Sequence, residues 1–207
     1  MKKLLAMVLA LVMTLSLAVS ANAAFKDADK VSADYSEAVA VLNGMGVFKG
    51  YEDGSFQPQG NITRAEVAAI VYRVYTADVK DAKASMYATY NKFSDMAGAG
   101  WAQGYIGYCA NAALVKGYPN GTFGPQRDIT RAETMTLVNR VLNRQPETED
   151  DLLPNMTVWT DNANPNAWYY LAVQEATNSH YYEFKTNSQY EKWTELREPR
   201  DWSQLEK

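Results

Sequence analysis

One pentapeptide that returns unchanged constrains this chain more than anything else in it. Ile62-Thr63-Arg64-Ala65-Glu66 recurs as Ile129-Thr130-Arg131-Ala132-Glu133, 67 residues later. At the same offset, the stretch from Phe48-Lys49-Gly50-Tyr51 through Asp53-Gly54 to Phe56-Gln57-Pro58 becomes Val115-Lys116-Gly117-Tyr118 through Asn120-Gly121 to Phe123-Gly124-Pro125. An aromatic-x-Asp marker occurs three times, as Phe25-Lys26-Asp27, Phe93-Ser94-Asp95 and Trp159-Thr160-Asp161. Trp101 and Trp168 are likewise 67 apart, and each leads an apolar helical pattern. Beyond Asn178 the third copy has neither the loop nor the pentapeptide. The chain therefore divides into a complete repeat over 25–75, a second over 93–142, and a degenerate third over 159–207 that ends in a capping tail. Units this small cannot bury an apolar face alone, so the copies must pack on one another.

Each complete repeat reads as helix, loop, helix, which predicts an all-α protein. In the first, Asp34 and Glu37 have capping-box spacing, and Ala38, Val39, Leu42 and Met45 form a stripe that ends at Gly44 and Gly46. Asp53-Gly54 and Asn120-Gly121 predict tight turns, clasped by Tyr51 and Phe56 or by Tyr118 and Phe123. Thr63 with Glu66, and Thr130 with Glu133, predict reciprocal capping boxes that open the second helices. The connectors 76–92 and 143–158 read as exposed loops, and the tail from Tyr181 as a cover for an open end of the core.

Residues 1–23 have the form of a secretory leader: Lys2 and Lys3, an apolar run from Leu4 to Val19, then Ala21-Asn22-Ala23. No other apolar run approaches the roughly 20 residues of a membrane span, so none is expected after leader cleavage. Cys109, the single cysteine, has no disulfide partner within the chain and reads as a small buried hydrophobe. One histidine, His180, excludes a multi-histidine metal centre and is read as chemically idle. A net charge of −4 argues against nucleic acid, which needs clustered Lys and Arg. Asp53-Gly54 lacks the alternating carboxylates of a calcium loop. No metal and no cofactor is expected.

Together, the aromatic-x-Asp marker, the Trp-led helix, the Gly-Tyr-x-x-Gly-x-Phe-x-Pro loop and Ile-Thr-Arg-Ala-Glu resemble the S-layer homology repeat of bacterial cell-surface proteins. The resemblance covers roughly residues 25–178. It implies three repeats in a pseudo-threefold arrangement, with first helices in a central bundle and loops plus second helices as prongs. It also implies non-covalent attachment to an anionic, often pyruvylated, secondary cell-wall polysaccharide held in grooves between prongs. The Arg of Thr-Arg-Ala-Glu, here Arg64 and Arg131, would contact the anion. The implied location is the bacterial cell wall and its surface layer.

Elementary electrostatics agrees. An arginine just after a helix cap stands where free backbone N–H groups and the helix dipole favour an anion, and its planar fork matches a carboxylate. The competing reading is a surface Arg–Glu pair with Glu66 that steadies the loop. In either case a first-turn surface arginine should contribute little to stability. Lys49 and Lys116, beside the loop glycines Gly50 and Gly117, are candidates to reach the same anion, and Tyr51 and Tyr118 to stack on a sugar. Trp101 is expected to pack in the core or on a groove floor, with ligand contact as the lesser option. Functionally this predicts a non-catalytic anchor for secondary cell-wall polysaccharide, with peptidoglycan as the other candidate polymer. The rival classes are a surface glycan hydrolase, which needs two carboxylates across a cleft, and a self-assembling surface-layer protein.

Overall fold

A computed structural model describes residues 24–90 and 92–198; the leader and the last residues of the tail, Trp202 among them, lie outside the described residues. The described chain is mostly helical. Its helices are α1 (Ala33–Gly44), α2 (Arg64–Thr76), α3 (Gln103–Asn111), α4 (Arg131–Leu142) and α5 (Tyr170–Thr177). Strands β1 (His180–Phe184) and β2 (Glu191–Leu196) form an antiparallel hairpin in the tail, with His180 opposite Leu196 and Phe184 opposite Glu191.

Both second helices open on reciprocal capping boxes. The Glu66 N–H donates to Thr63 Oγ1 at 3.3 Å and the Thr63 N–H to Glu66 Oε2 at 2.7 Å. The second copy repeats this at 3.2 and 2.9 Å with Glu133 and Thr130. Helix α1 begins differently from its predicted box: Ser32 is the N-cap, no side chain caps it, and none of its residues is buried. Asp34 already lies inside the first turn, where a carboxylate favours the dipole without needing a cap bond.

The aromatic-x-Asp marker works as a clamp within each repeat. Asp27 accepts the N–H groups of Phe56 and Gln57 at 2.7 and 2.9 Å, while Asp95 accepts those of Phe123 and Gly124 at 2.8 and 2.7 Å. The same aspartate type thus fastens the loop about 30 residues on, and the preceding ring covers it: Phe25 stacks on Phe56 at 5.1 Å, and Phe93 lies 5.3 Å from Phe123. That contact explains the glycine of Lys-Gly-Tyr. A Cβ on Gly50 would sit 2.6 Å from the Phe25 ring, and one on Gly117 would sit 2.5 Å from that of Phe93.

Helix α2 packs on α3, and α4 packs on α5, so the second helix of one repeat leans on the first helix of the next. The principal core joins Ala65, Ala68, Val71 and Tyr72 of α2 to Ile106, Cys109 and Ala110 of α3, with Phe93, Phe123 and Leu137 around them. Cys109 is fully buried, and burial pushes its thiol up to about 12. The connector over 76–92 is not an exposed loop. Its short 3₁₀ turn Ala84–Tyr87 lies so close to α3 that a Cβ on Gly104 would meet the Ala84 carbonyl at 2.2 Å. The acidic connector is likewise tied down. Asp151 is buried, and Lys185 donates to Glu147 at 2.7 Å and to Asp151 at 3.2 Å, fixing the connector to the hairpin. A second small core of Leu152, Tyr170 and Trp193 seats the hairpin against α5.

Candidate functional site

The two copies of Thr-Arg-Ala-Glu meet different neighbours. At α2, the first-turn N–H groups of Arg64 and Ala65 donate to the carbonyls of Arg127 and Pro125 at 2.9 and 3.0 Å. The loop of the second repeat therefore satisfies this helix start. Arg64 itself is 8% exposed. Its Nε donates to Phe123 O at 2.8 Å, Nη1 to Glu133 at 3.0 Å and Nη2 to Lys116 O at 3.2 Å. The guanidinium also lies over the Tyr118 and Phe123 rings, 4.8 and 4.6 Å from their centroids. The expected surface pair with Glu66 is replaced by a buried bridge to Glu133 in the next repeat. Burial alone would raise the Glu133 carboxyl. Bonds from Thr130 and Tyr118, with the Arg64 charge, outweigh burial and leave it below its usual value.

At α4 no such loop follows, because the third repeat lacks it. Among the described residues nothing accepts the Arg131 or Ala132 N–H, and the exposed Arg131 side chain has no hydrogen-bond or ion-pair partner. This helix start opens on a cavity of about 710 Å³ bounded by Arg127, Arg131, Trp159, Asp161, Asn162, Trp168 and Tyr169. Trp159 and Trp168 are 46% and 66% exposed. The Trp159 Nε1–H donates to Thr177 Oγ1 at 2.9 Å, which fixes that ring, and the Arg127 guanidinium lies 4.7 Å over Tyr118. A smaller cavity of about 380 Å³ lies against the second repeat, lined by its Lys116, Gly117, Tyr118, Glu133 and Arg140 together with Arg64 of the first repeat and Trp168 of the third. Tyr118, Glu133 and Trp168 border both cavities, so the two adjoin. Each is an aromatic-walled hollow in which guanidinium groups stand beside carboxylates, Glu133 in both and Asp161 in the larger.

The structure separates the remaining candidates. Lys116, Gly117 and Tyr118 join Arg64 and Arg131 at these cavities. In the first repeat, Lys49 is paired with Asp81, which Arg73 also holds at 2.9 Å. Gly50 is packed under Phe25, and Tyr51 borders neither cavity, with its hydroxyl raised by burial and by Glu66. Trp101 is 60% exposed, edge-on to Tyr105 at 5.7 Å, and also borders neither. It is therefore not a core residue. Sequence reasoning passed over Arg127, Arg140 and Trp159 as cavity residues. Two of these had a legible signal, since Trp159 replaces the buried Phe93 in the marker and Arg140 is the 67-residue echo of Arg73.

His180 is not idle. It is buried, stacks on Trp193 at 4.0 Å, and its Nε2 lies 3.2 Å from Glu191 and 3.3 Å from Glu175. Arg144 bonds the same two carboxylates at 2.6 and 2.9 Å. Burial disfavours the imidazolium, yet the two glutamates dominate and push His180 up to about 9. Glu175, His180 and Glu191 are also the described residues whose donor atoms lie close enough to hold a metal ion, within 4.8 Å of one another. Arg144 and the protonated His180 already balance both carboxylates, so the group is complete as an ionic lock between α5 and the hairpin.

Residues 24–68 and 92–135 match the S-layer homology domain family, and the chain is an S-layer homology domain protein with two complete repeats. It is 40% identical over 113 residues to cell surface glycoprotein 1 of Acetivibrio thermocellus, covering 53% of this chain and 5% of that protein. It is 35% identical over 152 residues to the cellulosome-anchoring protein of the same organism, covering 73% of this chain and 32% of the relative. The middle cell wall protein of Brevibacillus brevis is 33% identical over 150 residues, covering 70% and 14%. The chain thus spans at most about a third of the length of these relatives. No solved structure matches it. Among the described residues, no helix is long and apolar enough to cross a membrane.

Proposed function

We propose that this protein is a non-catalytic anchor that holds itself to the bacterial cell surface by gripping an anionic secondary cell-wall polysaccharide, pyruvylated on its sugars. The relatives named for cell-surface, cell-wall and anchoring roles support this reading. The observation that carries it is the open start of α4. Among the described residues, the first backbone N–H groups of this helix and the Arg131 guanidinium have no partner, and they face a hollow bordered by two exposed tryptophans. Such a helix start attracts a carboxylate, and the indole faces stack on sugar rings. Arg131, with Arg127, Trp159 and Trp168, is the binding centre; Lys116, Gly117 and Tyr118 extend it, and Arg64 holds the wall between the cavities. Leader cleavage after Ala23 delivers the chain to the wall.

Cosedimentation with purified wall sacculi tests this reading. Binding should be retained by intact sacculi and disappear once the non-peptidoglycan polymer is extracted. Arg131→Ala should weaken it roughly tenfold or more, the value of a charged hydrogen bond. Binding that survives extraction would assign the protein to peptidoglycan instead, and release of reducing sugar during incubation would make it a hydrolase.

A further inference from the structure

Helix α1 has the least to hold it. Elsewhere a second helix covers the first helix of the next repeat, α2 on α3 and α4 on α5. The third repeat carries a hairpin in place of a second helix, and Trp193 of that hairpin is engaged with Leu152 and Tyr170. Both second helices are therefore taken. Among the described residues none covers α1: none of its 12 residues is buried, and no side chain caps its start. An isolated helix of about 12 residues is marginal in water, so α1 needs packing from elsewhere. Tyr35, Ala38, Val39 and Leu42 stand at i, i+3, i+4 and i+7 in one apolar stripe that Met45 extends. Tyr35 is 66% exposed and Met45 39%.

The helix also has two electrically different ends. Asp34 and Glu37 lie in its first half, and its last turn has no basic residue of its own. Neighbours make that last end positive. Arg73 Nη1 donates to Val47 O at 3.2 Å, and Arg73 shares a single carboxylate, Asp81, with Lys49. Val79 packs against Gly46, 3.2 Å from where a Cβ would stand, which brings the exposed Lys80 to the same end. Among the described residues, Asp34, Glu37 and Lys80 have no ion-pair partner.

We propose that α1 is a docking face for a second copy of this chain, and that two α1 helices pair antiparallel about a two-fold axis near Ala38 and Val39. This pairing lays the apolar stripe against itself, with Tyr35 of each copy beside Leu42 of the other. It also sets the acidic start of each helix beside the positive end of its mate, whereas a parallel pair would oppose like charges. A two-fold interface requires such a self-complementary surface. A helix of this length spans only about 18 Å. The contact is therefore small, under about 1,000 Å² in total, and the dimer weak, with a Kd of roughly 10–100 µM. On a wall polymer the pair would carry two Arg131 centres and gain hold through avidity. The pairing itself needs no glycan, so it stands or falls apart from the anchoring reading.

Sedimentation equilibrium of the chain from residue 24 onward, without glycan and over about 5–500 µM, provides the test. A reversible monomer–dimer equilibrium is expected. Ala38→Glu puts like charges face to face at the axis and should raise Kd at least about tenfold. Because α1 is uncovered in the monomer and Glu is a good helix former, the dilute variant should melt with wild type. Asp34→Lys and Lys80→Glu should each raise Kd roughly two- to tenfold, and the two together should restore it, since the charges are exchanged rather than lost. A chain that stays monomeric throughout, or that assembles without limit, overturns the inference. So does a dimer indifferent to Ala38→Glu, which would lie on another face. A lower melting temperature for dilute Ala38→Glu would mean that α1 is covered within its own chain. A charge-exchanged double variant weaker than either single one would refute the antiparallel pairing.

Discussion

Replacing Arg64 by Ala should damage the fold, although the same change at its exact repeat, Arg131, should not. The Arg64 and Glu133 side chains are 9% and 11% exposed, so the substitution leaves a largely buried carboxylate without its cation. It also strands the Phe123 and Lys116 carbonyls, which lose donors at 2.8 and 3.2 Å. Breaking a buried pair from one side costs about 3–5 kcal/mol. For a chain of this size that lowers the melting temperature by roughly 10 °C. Arg131→Ala removes an exposed side chain that has no partner among the described residues, and should stay within about 0.5 kcal/mol. Urea unfolding followed by far-UV circular dichroism measures both. Glu133→Gln in the Arg64→Ala background should cost less than it does alone, because the stranded charge is the main penalty. An Arg64→Ala loss below about 1 kcal/mol, equal to that of Arg131→Ala, would mean an ordinary surface pair. The account of the inter-repeat wall would then fall.

Two further outcomes follow from the geometry. His180 is held near 9 in the fold against an ordinary value of 6.5, so its contribution is fully present below about pH 6.5 and fades as pH rises through 9. Wild type should lose on the order of 2–3 kcal/mol over that window relative to His180→Gln; parallel pH profiles of urea stability would refute the ionic lock. Gly117→Ala places a methyl 2.5 Å from both the Phe93 ring and the Thr122 carbonyl, and should cost about 1–3 kcal/mol in a thermal melt. A neutral result there would show that the marker ring does not clamp the loop.

Much of the fold was legible because it depends on contacts between near neighbours in sequence. Thr63 and Glu66 cap a helix from three residues apart, and Asn120 folds back on Thr122 across its turn at 3.1 Å. Such bonds depend little on what surrounds them, so both copies form them alike. The tail was less legible. Its strands alternate weakly, and the reason for Trp193 emerges only when its indole N–H meets Glu175 on α5 at 2.8 Å. The connector over 76–92 looked small and polar, yet small residues are what permit the Ala84 turn to press on Gly104.

What the sequence determined by itself is the repeating unit: its loop, its glycine, its capped helix and the aspartate that fastens them. Tertiary structure decided what each arginine of that unit does. Arg64 and Arg131 sit in identical pentapeptides behind identical caps. Arg64 is buried because a complete loop follows in the next repeat and presents Phe123 O, Lys116 O and Glu133, residues 52 to 69 positions away. Arg131 is left facing open space because the third repeat has no such loop. A local motif fixes the direction in which a guanidinium leaves its helix, but the acceptors that fill or spare it come from distant chain brought near by packing.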